Sequence, residues 1–171
     1  MLQRIDRIVV AANRLFLIVV LAAMSVIVFV NVCMRYLTTD SLVWAEEVAR
    51  YLMCYLTFLG LGLVYRYGGH IGVDSLQKAV PDRAATILRA ISVAIVIAFC
   101  AAMAWYGAIY ADRTSVQSTP VTEIPFSYIA ASVPLGFALA LWHIFAVARG
   151  LVIDGKYQET PDADLTQAGS L

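Results

Sequence analysis

The sequence holds 171 residues, of which 61% are hydrophobic and 14% charged. Soluble domains run about half apolar and about a quarter charged, so the excess apolar surface has to face something other than water. Lysine plus arginine (12) balance aspartate plus glutamate (12), which removes the electrostatic case for nucleic-acid binding.

The first uncharged run is Leu15 to Met34, between Arg14 and Arg35. A helix of about 20 residues spans about 30 Å, the hydrocarbon thickness of a bilayer. Arg35 stands where a secretory signal would carry small cleavage-site residues, so 15–34 is expected as an uncleaved first span. Asn31, one turn before Arg35, is expected to hydrogen-bond between helices.

Arg35 to Arg50 ends in an amphipathic stretch. Leu42, Ala45, Val48, Ala49 and Leu52 share one helical face; Val43, Glu46, Glu47 and Arg50 share the other. The expectation is a short helix lying partly in the membrane plane, anchored by Trp44, before the chain turns into the second span. Glu46 and Arg50 are four apart with Glu first, the favourable order for a helical ion pair.

The next apolar run, Tyr51 to Tyr65, is short, about 22 Å as helix. It is expected to borrow flanking turns and span 48–67, with Arg50 and Arg66 snorkelling to opposite headgroup layers. Glycines after Arg66 break the helix, Asp74 or Ser75 can cap a short helix through Val80, and Pro81-Asp82 opens a third span at 90–111. Asp112 to Glu123 is a polar loop. The fourth span, 124–148, carries Pro125 in its first turn and an internal Pro134, which should kink it and free the Ala130 carbonyl. His143, six residues before Arg149, is expected as an interfacial anchor. Residues 1–155 thus form one all-α, four-span membrane domain with short amphipathic interfacial helices in its connections. The polar tail 156–171 is expected to be disordered.

Orientation follows from the positive-inside rule. The side shared by the two termini and the middle connection carries nine basic residues and the opposite side three, Arg35, Arg50 and Arg113. Both termini are expected in the cytoplasm.

The span cores hold no Asp, Glu, Lys or Arg. A pump or secondary transporter usually keeps ionisable groups near mid-bilayer, so a self-sufficient small exporter is the weaker alternative. A haem protein is weaker still, because it would need His70, in a Gly-rich loop, and His143 on opposite faces of one iron. Cys33, Cys54 and Cys100 sit in apolar stretches without Cys-x-x-Cys or ligand spacing and read as packing residues. No catalytic residue, cofactor or metal site is expected. What the spans offer is packing surface. Ala90, Ala94, Ala98 and Ala102 form a four-residue ridge on the third span, and Ser132, Gly136 and Ala140 form one on the fourth.

Several segments in order resemble the DctQ-type small permease subunit of tripartite ATP-independent periplasmic (TRAP) transporters, over roughly residues 1 to 153. They are Asn31-Val-Cys-Met-Arg35-Tyr36, Trp44-Ala-Glu46-Glu47-Val-Ala-Arg50-Tyr51, Phe58-Leu-Gly60, Gly69-His70-Ile71-Gly72-Val73-Asp74 and Pro81, then Ser118-Thr-Pro120, Ile124-Pro125 and Pro134. The resemblance implies a bacterial inner-membrane complex importing organic acids on an ion gradient, commonly sodium. Its partners would be a large permease subunit, which holds the substrate and sodium sites, a periplasmic substrate-binding protein, and the lipid bilayer. The small subunit would act as scaffold and help form the docking surface. Arg35, Trp44, Glu46, Glu47 and Arg50, expected at the periplasmic surface, are the candidates for meeting a partner, the alternative being an interfacial helix that merely carries solvated charges.

Overall fold

The computed structural model describes residues 2–38, 40–67 and 81–154. His70, the short helix expected between Asp74 and Val80, and the tail 156–171 lie outside the described residues.

The apolar runs fold as helices because a chain in hydrocarbon must satisfy every backbone N–H and C=O within itself. Among the described residues there are five helices: α1 (Leu2–Leu37), α2 (Val43–Arg66), α3 (Asp82–Arg113), α4 (Phe126–Ala130) and α5 (Ser132–Asp154). Four segments are long and apolar enough to cross a membrane, the last made of α4 and α5 together. The expected all-α membrane architecture is therefore what is found. Among the described residues the only β-bridge joins Ser118 and Pro125.

The 36 residues of α1 make a rod of about 54 Å, longer than the roughly 30 Å of hydrocarbon. Its N-terminal turns therefore continue past the uncharged run. The fourth span divides at Ala131. Pro134, one turn later, has no N–H to bond the Ala130 carbonyl, and the ring crowds that turn.

α2 runs unbroken from Val43 to Arg66. The amphipathic stretch expected to lie in the membrane plane is thus the first two turns of the second span. No proline or glycine separates the two parts, so nothing interrupts the backbone ladder.

The helices pack as a row, α1 against α2, α2 against α5, and α5 against α3. α5 runs parallel to α2, and α1 and α3 run antiparallel to their neighbours. The core lies along α5: Val93, Cys100, Phe137, Ala140, Ile144 and Leu151 are buried together. Phe137 stands between Phe58 of α2 and Phe99 of α3, with ring centroids at 6.0 and 5.9 Å. Close approach needs small residues. A Cβ at Gly136 would come within 2.5 Å of the Phe58 carbonyl, and one at Gly107 within 2.9 Å of Val133. The central helix is much the most enclosed, while α1 and α3 at the edges expose long apolar faces.

Candidate functional site

Polar side chains gather at the two ends of the row. At the end away from the termini, Asn31 of α1 accepts a 2.7 Å hydrogen bond from the Leu42 backbone N–H. It thereby ties the end of α1 to the residue that starts α2, rather than to a neighbouring helix face. One turn into α2, Glu47 is only 3% exposed. Its carboxylate accepts hydrogen bonds from the backbone N–H groups of Val121 (3.0 Å) and Thr122 (3.2 Å), and from the hydroxyls of Thr122 and Tyr51. Thr119 closes the turn. Its N–H reaches the Ile124 carbonyl at 3.0 Å, and its hydroxyl accepts from the Ile124 N–H at 2.9 Å. Glu123, with φ of 53°, takes the left-handed conformation that folds the loop back. A buried carboxylate thus fixes the 119–122 turn, leaving Val116, Val121 and Ile124 exposed around it.

Arg35, Trp44, Glu46 and Arg50 lie at this same end with their side chains exposed. Glu47, grouped with them on the polar face, is turned inward because the loop before α4 supplies the donors its charge needs.

At the other end the sequence expectation is overturned for two residues. Arg66 does not snorkel; it is 4% exposed, and its guanidinium pairs with both carboxylate oxygens of Asp6, one of them at 2.8 Å. His143 is not an interfacial anchor but fully buried. Its Nδ1 lies 3.3 Å from Arg66 Nη1 and its Nε2 lies 3.3 Å from Asn13 Nδ2. Asn13 also donates to the Leu59 carbonyl at 3.1 Å. A counter-charge and a ring within reach make the interior a better place for Arg66 than the headgroups. With both ring nitrogens facing protein groups, His143 offers no free position for an iron.

Of the two small-residue ridges, Ser132, Gly136 and Ala140 are buried against the rest of the chain. The other points outward: Ala90, Ala94 and Ala98 are exposed and Ala102 half-buried. Among the described residues no cluster of three or more His, Cys, Asp or Glu side chains could hold a metal ion.

Sequence reasoning missed Asp6, Asn13 and Gly62, and misplaced Arg66 and His143. One signal was available: Asp6 is a single carboxylate among Arg4, Arg7 and Arg14 at the head of an apolar helix.

The family model for the DctQ component of tripartite ATP-independent periplasmic transporters matches residues 24–152. The chain belongs to the DctQ family. It is 31% identical over 100 residues to a Haemophilus influenzae chain assigned as a TRAP transporter small permease protein, covering 58% of this chain and 62% of that one. It is 33% identical over 79 residues to the C4-dicarboxylate TRAP transporter small permease protein of Vibrio cholerae, covering 46% of this chain and 34% of that one. The ectoine TRAP transporter small permease protein of Halomonas elongata is 26% identical over 171 residues, covering 95% of this chain and 86% of that one. The chain thus spans less than two thirds of the first two relatives' lengths. DctQ proteins are transporter components rather than an enzyme class, and with four membrane-capable helices this one is a multi-pass inner-membrane protein. The DctQ match takes in the Glu47 network, Arg66 and His143, whereas Asp6 and Asn13 precede it.

Proposed function

We propose that this chain is the small membrane subunit of a TRAP-type secondary transporter that imports organic acids on a sodium gradient. In this reading it is a scaffold for the large permease subunit and helps dock the periplasmic binding protein. The observation that carries the reading is where its polar groups are spent. The Glu47 and Arg66 networks, at opposite ends of the row, are both consumed in holding helices and a loop together. Between them the described span cores hold no Asp, Glu, Lys or Arg on which a coupling ion could be held. A row of helices also leaves broad flanks, and the exposed apolar faces of α1 and α3 are suited to lie against lipid or a larger helical partner.

The nine-to-three basic bias supports an orientation with both termini in the cytoplasm and the Glu47 end in the periplasm. There the exposed Arg35, Trp44, Glu46 and Arg50, with the pinned 115–124 loop, form the surface assigned to docking. Relatives are named for C4-dicarboxylate and ectoine, two different solutes for one small-subunit family, which fits substrate choice residing in the other components. Co-purification tests the reading: a tagged chain expressed with its large permease subunit should retain it through detergent extraction. Glu46→Arg and Arg50→Glu should weaken capture of the binding protein while leaving the membrane complex intact. A chain that purifies alone and transports by itself would instead favour the exporter reading.

A further inference from the structure

Contacts fix the height of each helix against its neighbour. Along α1 and α2, Asn31 bonds the Leu42 N–H, Asn13 bonds the Leu59 carbonyl and Asp6 pairs with Arg66, the same register from end to end. Arg14 is therefore level with Phe58, in the middle of the uncharged run Tyr51 to Tyr65. Arg50 is level with Ala22, inside the uncharged run Leu15 to Met34. Both arginines are exposed. From Arg50 to Phe58 is about 12 Å of helix, against about 30 Å of hydrocarbon in a bilayer. A bilayer crossing the row squarely would bring one of these cations into its apolar core, where charge is costly.

The other helices agree among themselves. Gly136 of α5 stands against Phe58, and Ala140 against Gly62, so the middle of α2's uncharged run meets the middle of 124–148. On α3, the Gly107–Val133 and Arg89–Val152 contacts set Ala104 at that same height, about one turn from the centre of 90–111. The run of α1 alone is displaced, by about ten residues or 15 Å, toward the end away from the termini. Val26, Val28 and Phe29, all exposed, consequently stand beside the first turn of α2, where Trp44 and Glu46 are exposed as well. Tyr36, Leu37 and Val43, at the corner between α1 and α2, are 84%, 82% and 70% exposed. With the row upright these apolar side chains would stand in water. Because α1 is the edge helix, inclining the row levels its run with the others. From α1 to α3 the centres shift by about 20 Å across roughly 30 Å of packed helices, an inclination of about 30–35°, within the range of membrane helices.

We propose that the row sits obliquely in the bilayer, inclined within its own plane, with lipid tails covering Val26, Val28 and Phe29 of α1 and the phosphates of opposite leaflets meeting Arg14 and Arg50. The inclination brings 15–34 into hydrocarbon together with the runs of α2, α3 and α5. It also lowers Tyr36, Val43 and Trp44 to the headgroup layer, where aromatic rings are favoured. A guanidinium is always charged and its donors match a phosphate, so the two arginines set the height at which α1 and α2 rest. The seating concerns the chain's own meeting with lipid and stands apart from its assembly role.

The test is label depth, measured by electron paramagnetic resonance on the full chain in phospholipid nanodiscs. Cys33, Cys54 and Cys100 are replaced by alanine, and single spin labels are attached at Leu15→Cys, Val26→Cys and Ala101→Cys, all exposed positions. Accessibility to oxygen, which collects at the bilayer centre, against that to a water-soluble nickel chelate reports the depth. Oblique seating places Val26 and Ala101 near the centre and Leu15 close to the headgroups, with Val26 about 10 Å deeper than Leu15. An upright row gives the reverse order, Leu15 deepest and Val26 at the water boundary. That result would overturn the seating and leave this face of α1 to a protein partner; equal depths for the two would overturn it as well. A label pair at Leu15→Cys and Thr57→Cys, level across α1 and α2 and both exposed, should show strong dipolar broadening. Its loss would mean that α1 slides along α2 instead of the row inclining, and would equally overturn the proposal.

Discussion

Gly62 of α2 lies directly beneath the His143 ring of α5: a Cβ there would approach His143 Cδ2 to 2.6 Å and the Ala140 Cα to 2.9 Å. The second contact is with backbone, so the crowding cannot be relieved by a rotamer change alone. Gly62→Ala is therefore expected to destabilise the chain by about 1–3 kcal/mol, the usual range for overpacking. Gly60→Ala serves as the comparison. Its nearest neighbour would be Leu17 Cδ1 at 3.9 Å, an ordinary contact, and its melting temperature in detergent should stay close to the parent's.

Glu47 makes a second local prediction. Glu47→Ala strips the acceptor from the Val121 and Thr122 N–H groups, and hydrogen bonds to a charged group are worth about 1.5–3 kcal/mol each. Amide hydrogen exchange across residues 119–124 should accelerate, with little change in the helices. Glu46→Ala, at an exposed position one residue earlier, should leave exchange in this loop as it was. Equal protection in both variants would mean that the carboxylate does not hold the turn.

The outward alanine ridge separates packing within the chain from packing against a partner. Ala98 is exposed on α3, so Ala98→Leu should alter the stability of the isolated chain by no more than about 0.5 kcal/mol. Gly136→Leu, by contrast, drives a side chain into the Phe58 backbone and should prevent stable folding. If the ridge meets the large subunit, Ala98→Leu should weaken co-purification while the chain alone melts normally. A lowered melting temperature for the isolated chain would contradict the outward placement.

The fold was legible where hydrocarbon alone sets the rule. Leu15 to Met34 reads as a spanning helix because a single unbroken apolar run of this length satisfies its own backbone in lipid only as a helix. The break beside Pro134 was equally plain, since the missing N–H acts on its own turn. The start of α2 was obscured by its charges. Glu46, Glu47 and Arg50 resembled the edge of a span, and only the folded loop 119–122 shows why Glu47 can go inside. Arg66 and His143 were misread for a similar reason. Their partners lie 60 and 130 residues away in Asp6 and Asn13, and a single sequence contains no local periodicity that joins them. Four-residue spacing placed Ala90, Ala94 and Ala98 on one face and Ser132, Gly136 and Ala140 on another. It could not tell that the first faces out and the second in, because small residues suit both.

Orientation rests on the basic-residue bias. Reporter fusions near Lys78 and at Gly169 should give cytoplasmic signals and a fusion at Gln117 a periplasmic one. A periplasmic signal at Lys78 would reverse the sides and remove the exposed Arg35, Trp44, Glu46 and Arg50 surface from reach of a periplasmic partner.

The central claim is that this chain supports transport without carrying out transport. Its most direct measurement is organic-acid uptake into proteoliposomes under an inward sodium gradient, with the purified chain alone and then with the large permease subunit and binding protein added. The chain alone should give uptake no greater than empty liposomes. The three components together should restore it, and omitting this chain should abolish it again. Robust uptake by the chain alone would contradict the account.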